Sequence, residues 1–117
     1  MRVLSKIEPQ DIWFWFEEIS RIPRSSGNEK EIAEFLLDFA QMRNLPAKRD
    51  ELNNVLITSP GRGKAVSHPS LALQAHVDIV AEKTDCSLHS FTSDPIVPEI
   101  EGDWVTSKKT TLGADNG

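Results

Sequence analysis

The apolar run Leu71-Ala72-Leu73-Gln74-Ala75, which leads straight into His76-Val77-Asp78, most constrains what this chain can fold into. Five residues that are apolar apart from Gln74 predict a strand buried on both faces, the pattern of an α/β sheet covered by helices on each side. The carboxyl ends of such strands are where open α/β sheets place ligand sites. Residues i and i+2 of an extended segment point to the same side, so His76 and Asp78 are expected to share a face there.

Two helices precede this run. Pro9 suits a first helical turn, and Ile12, Phe16 (with Trp15) and Ile19 recur at helical spacing until Pro23. The consecutive aromatics Trp13 to Phe16 spread around the helix, so packing on more than one face is expected, as core rather than as a ligand cluster. Ser26-Gly27-Asn28-Glu29 has the spacing of a capping box. Behind it Ile32, Phe35, Leu36, Phe39 and Ala40 form one apolar stripe, with Glu31, Glu34, Asp38 and Arg43 off it, until Leu45-Pro46 closes the helix.

The pattern then changes. Ala47 to Asp50 reads as a short polar edge, and Asn54 to Thr58 as a strand after an Asn-Asn turn. Ser59 to Ser70 is a loop by composition, and Gly61-Arg62-Gly63-Lys64 lacks the spacing of a phosphate loop. Pro95 to Val105 reads as extended segments around a Glu101-Gly102-Asp103 turn. The expected fold is therefore α/β: two helices, then a mixed β-sheet.

Length and charge narrow the function. With 117 residues the chain makes one domain at most, and 38% hydrophobic with 26% charged residues suits a soluble globular protein. A net charge of −5 without a basic block argues against nucleic acid and anionic membrane surfaces. No stretch reaches the roughly 20 apolar residues of a membrane span. The single Cys86 allows no internal disulfide, and the start carries no apolar signal core, so a cytoplasmic location is expected. Cys86 has no nearby base, and His68 and His89 stand in loop-like contexts without a second donor; none is assigned a chemical role.

His76 and Asp78 carry the chemistry. A neutral imidazole suits zinc, and its second ring nitrogen needs an acceptor, which Asp78 can supply unless it acts electrostatically beside it. The pair alone fits better a strand end that caps a turn without metal, since short motif matches arise readily by chance. Asp115 lies in Leu112-Gly113-Ala114-Asp115-Asn116-Gly117, where small neighbours admit close approach and a carboxylate can bridge two cations about 3.5–4 Å apart. By itself Asp-Asn-Gly is also a common turn.

Taken in order, Ile22 to Glu29, Leu73 to Ile79, Phe91 to Ile96 and Thr110 to Gly117 resemble the N-terminal part of the aminoacyl-histidine (Xaa-His) dipeptidases. These belong to the di-zinc superfamily of aminoacylase and carboxypeptidase type. The resemblance runs from about Leu4 to Gly117. It implies that residues 1–117 are part of a metallopeptidase catalytic domain that breaks off after the bridging-aspartate motif. It makes His76 a terminal ligand of one zinc, Asp115 the carboxylate bridging two zinc ions, and Asp78 the catalytic-site aspartate that clamps the metal-bound imidazole.

The implied reaction is hydrolysis of a small dipeptide by a metal-activated water. The family's general base, a Glu in a Glu-Glu pair, its other zinc ligands, and its smaller, commonly dimerising domain all fall beyond Gly117. Two further readings follow. One is an inactive remnant with weak metal binding, since a catalytic zinc wants about three protein ligands. The other is aminoacylase or carboxypeptidase chemistry within the same superfamily. Lys108-Lys109, Ser90 and Asn53 depart from the family pattern without touching a ligand position.

Overall fold

In the computed structural model, which describes residues 2–115, the chain divides into two units: Met1–Ile32 with Val77–Gly117, and Ala33–His76. Helix α1 (Gln10–Ser20) belongs to the first. Pro9 stands at its N-cap with extended backbone geometry, one position ahead of the expected first turn. The buried face of α1 holds Phe16, Glu17 and Ser20 rather than an all-apolar stripe, and Ile12 is exposed. Glu17 is tolerated there because its Oε1 accepts the Val3 N–H at 2.7 Å, which fastens the leading segment and seats the fully buried Leu4. Packing on more than one side of α1 holds. Trp13 meets Phe16 edge-on, Phe14 meets Trp15 likewise, and the Arg2 guanidinium lies 3.9 Å over the Phe14 ring.

The remainder of this unit is strands and turns. β3 (Pro98–Glu101) and β4 (Trp104–Ser107) pair antiparallel around Gly102-Asp103. Gly102 has φ +61, the conformation a II′ hairpin demands at its first central position. Ahead of β3, the Phe91–Ile96 turn is tied down twice. The Ile96 N–H donates to the Ser20 carbonyl at 2.9 Å, and Asp94 accepts the Ser90 N–H at 2.8 Å. Ile79 and Ile96, both buried, join Phe16 and Leu4 among the apolar residues of this unit.

Helix α2 (Lys30–Met42) starts in the first unit and continues into the second. Of its expected stripe, Ile32 and Ala40 are buried, as is Ala33 beside it, and Phe35, Leu36 and Phe39 are half-buried. The helix ends in a Schellman motif. Leu45 N–H donates to Ala40 O, Asn44 N–H donates to Gln41 O, and Asn44 takes φ +54. Pro46 then prevents continuation.

β1 (Ala47–Arg49) and β2 (Val55–Ile57) follow as an antiparallel pair with Lys48 opposite Leu56. Asp50 builds the connection, its Oδ1 accepting the N–H groups of Leu52 and Asn54, both at 2.9 Å. Asn53 adopts φ +66, the left-handed geometry that Asn accepts in place of glycine. Ser59 to Ser70 is irregular as expected, apart from a 3₁₀ turn at Gly63–Ser67.

The α/β class stands, with two corrections in detail. The β-structure takes the form of two separate antiparallel ribbons. The run Leu71–Ala75 is not a buried strand: it has no regular structure, and Leu71 and Leu73 are 85% and 91% exposed. A central strand exists only where neighbours accept its backbone hydrogen bonds on both sides. Among the described residues no strand lies beside 71–75, so the apolar pattern has no ladder to join.

Candidate active site

What replaces the expected strand end is a pairing one residue beyond Asp78. Ile79 forms a parallel bridge with Ser25: its N–H donates to Arg24 O at 2.9 Å, and its carbonyl accepts the Ser26 N–H at 3.3 Å. This places Asp78 against Ser26, whose hydroxyl donates to Asp78 Oδ2. Ser26 does not close the capping box in the expected way: the helix begins only at Lys30, and Glu29 turns back to the Gly27 N–H at 2.6 Å rather than to Ser26.

A third segment joins through Lys83 and Thr110, which form an antiparallel bridge. Thr84 N–H donates to Lys109 O at 3.0 Å and Thr111 N–H to Glu82 O at 2.9 Å. The chain then continues through Leu112 and Gly113 to Asp115. Gly113 has φ +72, and a Cβ built on it would lie 2.3 Å from Ile79 Cγ2. No side chain fits there, which is the close approach that the small-residue motif predicts. Leu112 and Ala114, alternating with Gly113 and Asp115, line an apolar cleft of about 520 Å³ with Ile12, Trp13, Phe16 and Trp104. Its lining includes neither Asp78 nor Asp115, so the cleft is not the chemical centre.

Arg24 binds these segments together, and sequence reasoning had given it no role. It is 2% exposed. Its Nη1 donates to the Val77 carbonyl at 2.9 Å and its Nη2 to the Gly113 carbonyl at 3.0 Å. Burial pushes the guanidinium pKa down from its ordinary value, while the charges of Asp115 and then Asp78 push it back up. Both carboxylates thus lie within electrostatic reach of one buried cation, and that proximity offsets the cost of burying it. No signal in Ile22-Pro23-Arg24-Ser25-Ser26 marks it, since an arginine beside small polar residues is ordinarily exposed.

Of the residues expected to carry chemistry, Asp78 and Asp115 meet around Arg24 in the first unit, half-buried and exposed respectively. His76 is the last residue of the second unit, exposed and outside any helix or strand. Asn116 and Gly117, the end of the aspartate motif, lie outside the described residues. Imidazole and carboxylate are the right donors in kind for zinc. In number they fall short: among the described residues no group of three or more His, Cys, Asp or Glu side chains is placed to hold a metal ion. His89 stacks edge-on against Phe91 at 4.7 Å between ring centroids, a packing role, and Cys86 is exposed.

Over almost all of its own length the chain is homologous to two dipeptidases. In sequence it is 40% identical, across all 117 residues, to the cytosol non-specific dipeptidase of Escherichia coli (strain K12). In structure it matches the aminoacylhistidine dipeptidase of Vibrio alginolyticus with a TM-score of 0.83 and 38% identity, over 97% of this chain. The chain spans about a quarter of each relative's length, 24% and 23% respectively. No family model matches it.

Proposed function

We propose that this sequence supplies part of the catalytic domain of a metal-dependent dipeptidase acting on small dipeptides of the Xaa-His, carnosine-like type. The observation that carries the reading is identity to a dipeptidase along the whole chain, with the Gly113-Ala114-Asp115 approach packed tightly enough to need its glycine. In this reading Asp115 and His76 are metal ligands, Asp115 bridging two zinc ions, and Asp78 orients the ligating imidazole. Zinc would acidify the attacking water and polarise the peptide carbonyl. The chain's own part is to bring the Asp115 carboxylate within electrostatic reach of the buried Arg24 guanidinium. The remaining ligands and the general base would come from portions of the relatives that this chain does not span.

The E. coli relative's name places that protein in the cytosol, and none of the described helices is long and apolar enough to cross a membrane. A cytoplasmic location is proposed on that basis, and a homodimer for an enzyme of the relatives' full length.

The test is a chimera in which residues 1–117 replace the matching segment of the E. coli dipeptidase. It should hydrolyse dipeptides, lose activity to a chelator, and lose roughly 10³-fold or more in Asp115→Asn. A chimera that folds and binds metal but hydrolyses N-acyl amino acids in preference to dipeptides would move the reading to aminoacylase chemistry. One that folds and turns over neither would overturn it.

The count of donors favours a companion reading for the 117-residue chain by itself: weak zinc binding and no turnover. Chelator-sensitive peptidase activity that follows the purified chain would refute it.

A further inference from the structure

We propose that Arg24 is a positioning residue that clamps the backbone of the Val77–Ile79 segment to that of the Gly113–Asp115 segment, setting the two aspartates in register. The purpose of that register rests on the dipeptidase reading; the clamp itself does not.

The geometry is specific to a guanidinium. Two nitrogens of one rigid planar group reach two carbonyls from segments far apart in sequence, at 2.9 and 3.0 Å. One carbonyl immediately precedes Asp78, and the other lies two residues before Asp115. Arg24 is itself held: its own carbonyl accepts the Ile79 N–H, and the site where a Gly113 Cβ would stand is 3.3 Å from its Nη2. Strand pairing does not do this work. The bridges of this region are single pairs, Ser25 with Ile79 and Lys83 with Thr110, and neither joins residues 77–79 to 113–115. A lysine carries the charge without the fork, and its three donors on a flexible stem fix no angle between two carbonyls.

The positive charge creates an opposing expectation. A buried cation near a dication-binding carboxylate repels the metal. If placement outweighs repulsion, removing Arg24 weakens metal binding; if repulsion outweighs placement, removing it tightens binding.

The experiment uses the 117-residue chain as wild type, Arg24→Met and Arg24→Lys. Amide exchange is read at Ile79 and Thr111, with Leu45 and Thr58 as controls in the other unit, and each protein is titrated with zinc ion alone. In Arg24→Met, exchange at Ile79 and Thr111 should quicken together by at least tenfold, the controls should stay within threefold, and zinc should bind about tenfold more weakly. Arg24→Lys should fall between the two. It carries the test if the Met variant does not fold.

Unchanged exchange at the two sites or equal loss at the controls would overturn the clamp; zinc binding that is unchanged or tighter would overturn the claim that the clamp sets the aspartates for metal. A wild-type chain that does not respond to zinc would count against the metal reading of this chain. The exchange readout would still decide the clamp.

Discussion

Asp94 shows how much a single exposed carboxylate can organise. Its Oδ2 takes the Ser90 N–H and its Oδ1 the Ser93 hydroxyl, and these bonds hold its pKa below the ordinary 3.8. A carboxylate with a depressed folded-state pKa contributes stability that is complete above the unfolded value and is lost as pH falls through the folded one. Asp94→Ala should therefore be less stable than wild type at pH 6. The gap should close as both proteins are taken below pH 3.8, as measured by urea unfolding at each pH. At Gly113 the constraint is steric. With φ +72 and no room for a methyl group beside Ile79, Gly113→Ala should destabilise the chain. The cost should be about 1–3 kcal/mol from strain and overpacking, read from the denaturant midpoint.

At the scale of elements, the clearest case is α2 and its exit. The apolar stripe from Ile32 to Ala40 and the Leu45-Pro46 stop were legible because helix periodicity and proline geometry are local properties. The Schellman cap was not foreseen, though Asn44 ahead of Leu45-Pro46 is its signal. Since Asn44 sits at φ +54, Asn44→Gly should be neutral or slightly stabilising. Asn44→Val should cost about 1–2 kcal/mol, checked by thermal unfolding followed at the helix band. The hairpin of β3 and β4 was likewise legible from Glu101-Gly102-Asp103, and the Asp50 turn from its Asn53-Asn54. The Leu71–Ala75 strand was misread for a physical reason. Apolar content states that a segment prefers burial, but only a partner strand can supply it.

For the whole molecule, apolar surface decides behaviour. Leu71, Leu73, Leu88, Trp104 and Ile12 are all more than half exposed, and the 520 Å³ cleft beside α1 is lined by aromatic and aliphatic side chains. Such surface favours association and loose packing over a single sharp native state. The isolated chain should unfold over a broad temperature range and bind a hydrophobic dye before it melts; a sharp, cooperative calorimetric transition would contradict this. Within that marginal fold, Leu73→Ser should change stability by less than about 0.5 kcal/mol. Ile32→Ala should cost about 2–4 kcal/mol, because one side chain is already in water and the other is buried.

By itself the sequence determined the two helices, the turns at Asn53 and Gly102, and the ordered motifs that resemble a dipeptidase. Each of these is written in neighbouring residues, through periodicity, proline, or the tolerance of Asn and Gly for left-handed backbone. Only the tertiary structure decided that Ser26 donates to Asp78, that Leu71–Ala75 finds no sheet, and that Arg24 lies between Val77 and Gly113. Those outcomes depend on which distant groups compete for the same donor or acceptor. That competition is settled by where the chain brings them, not by the residues on either side.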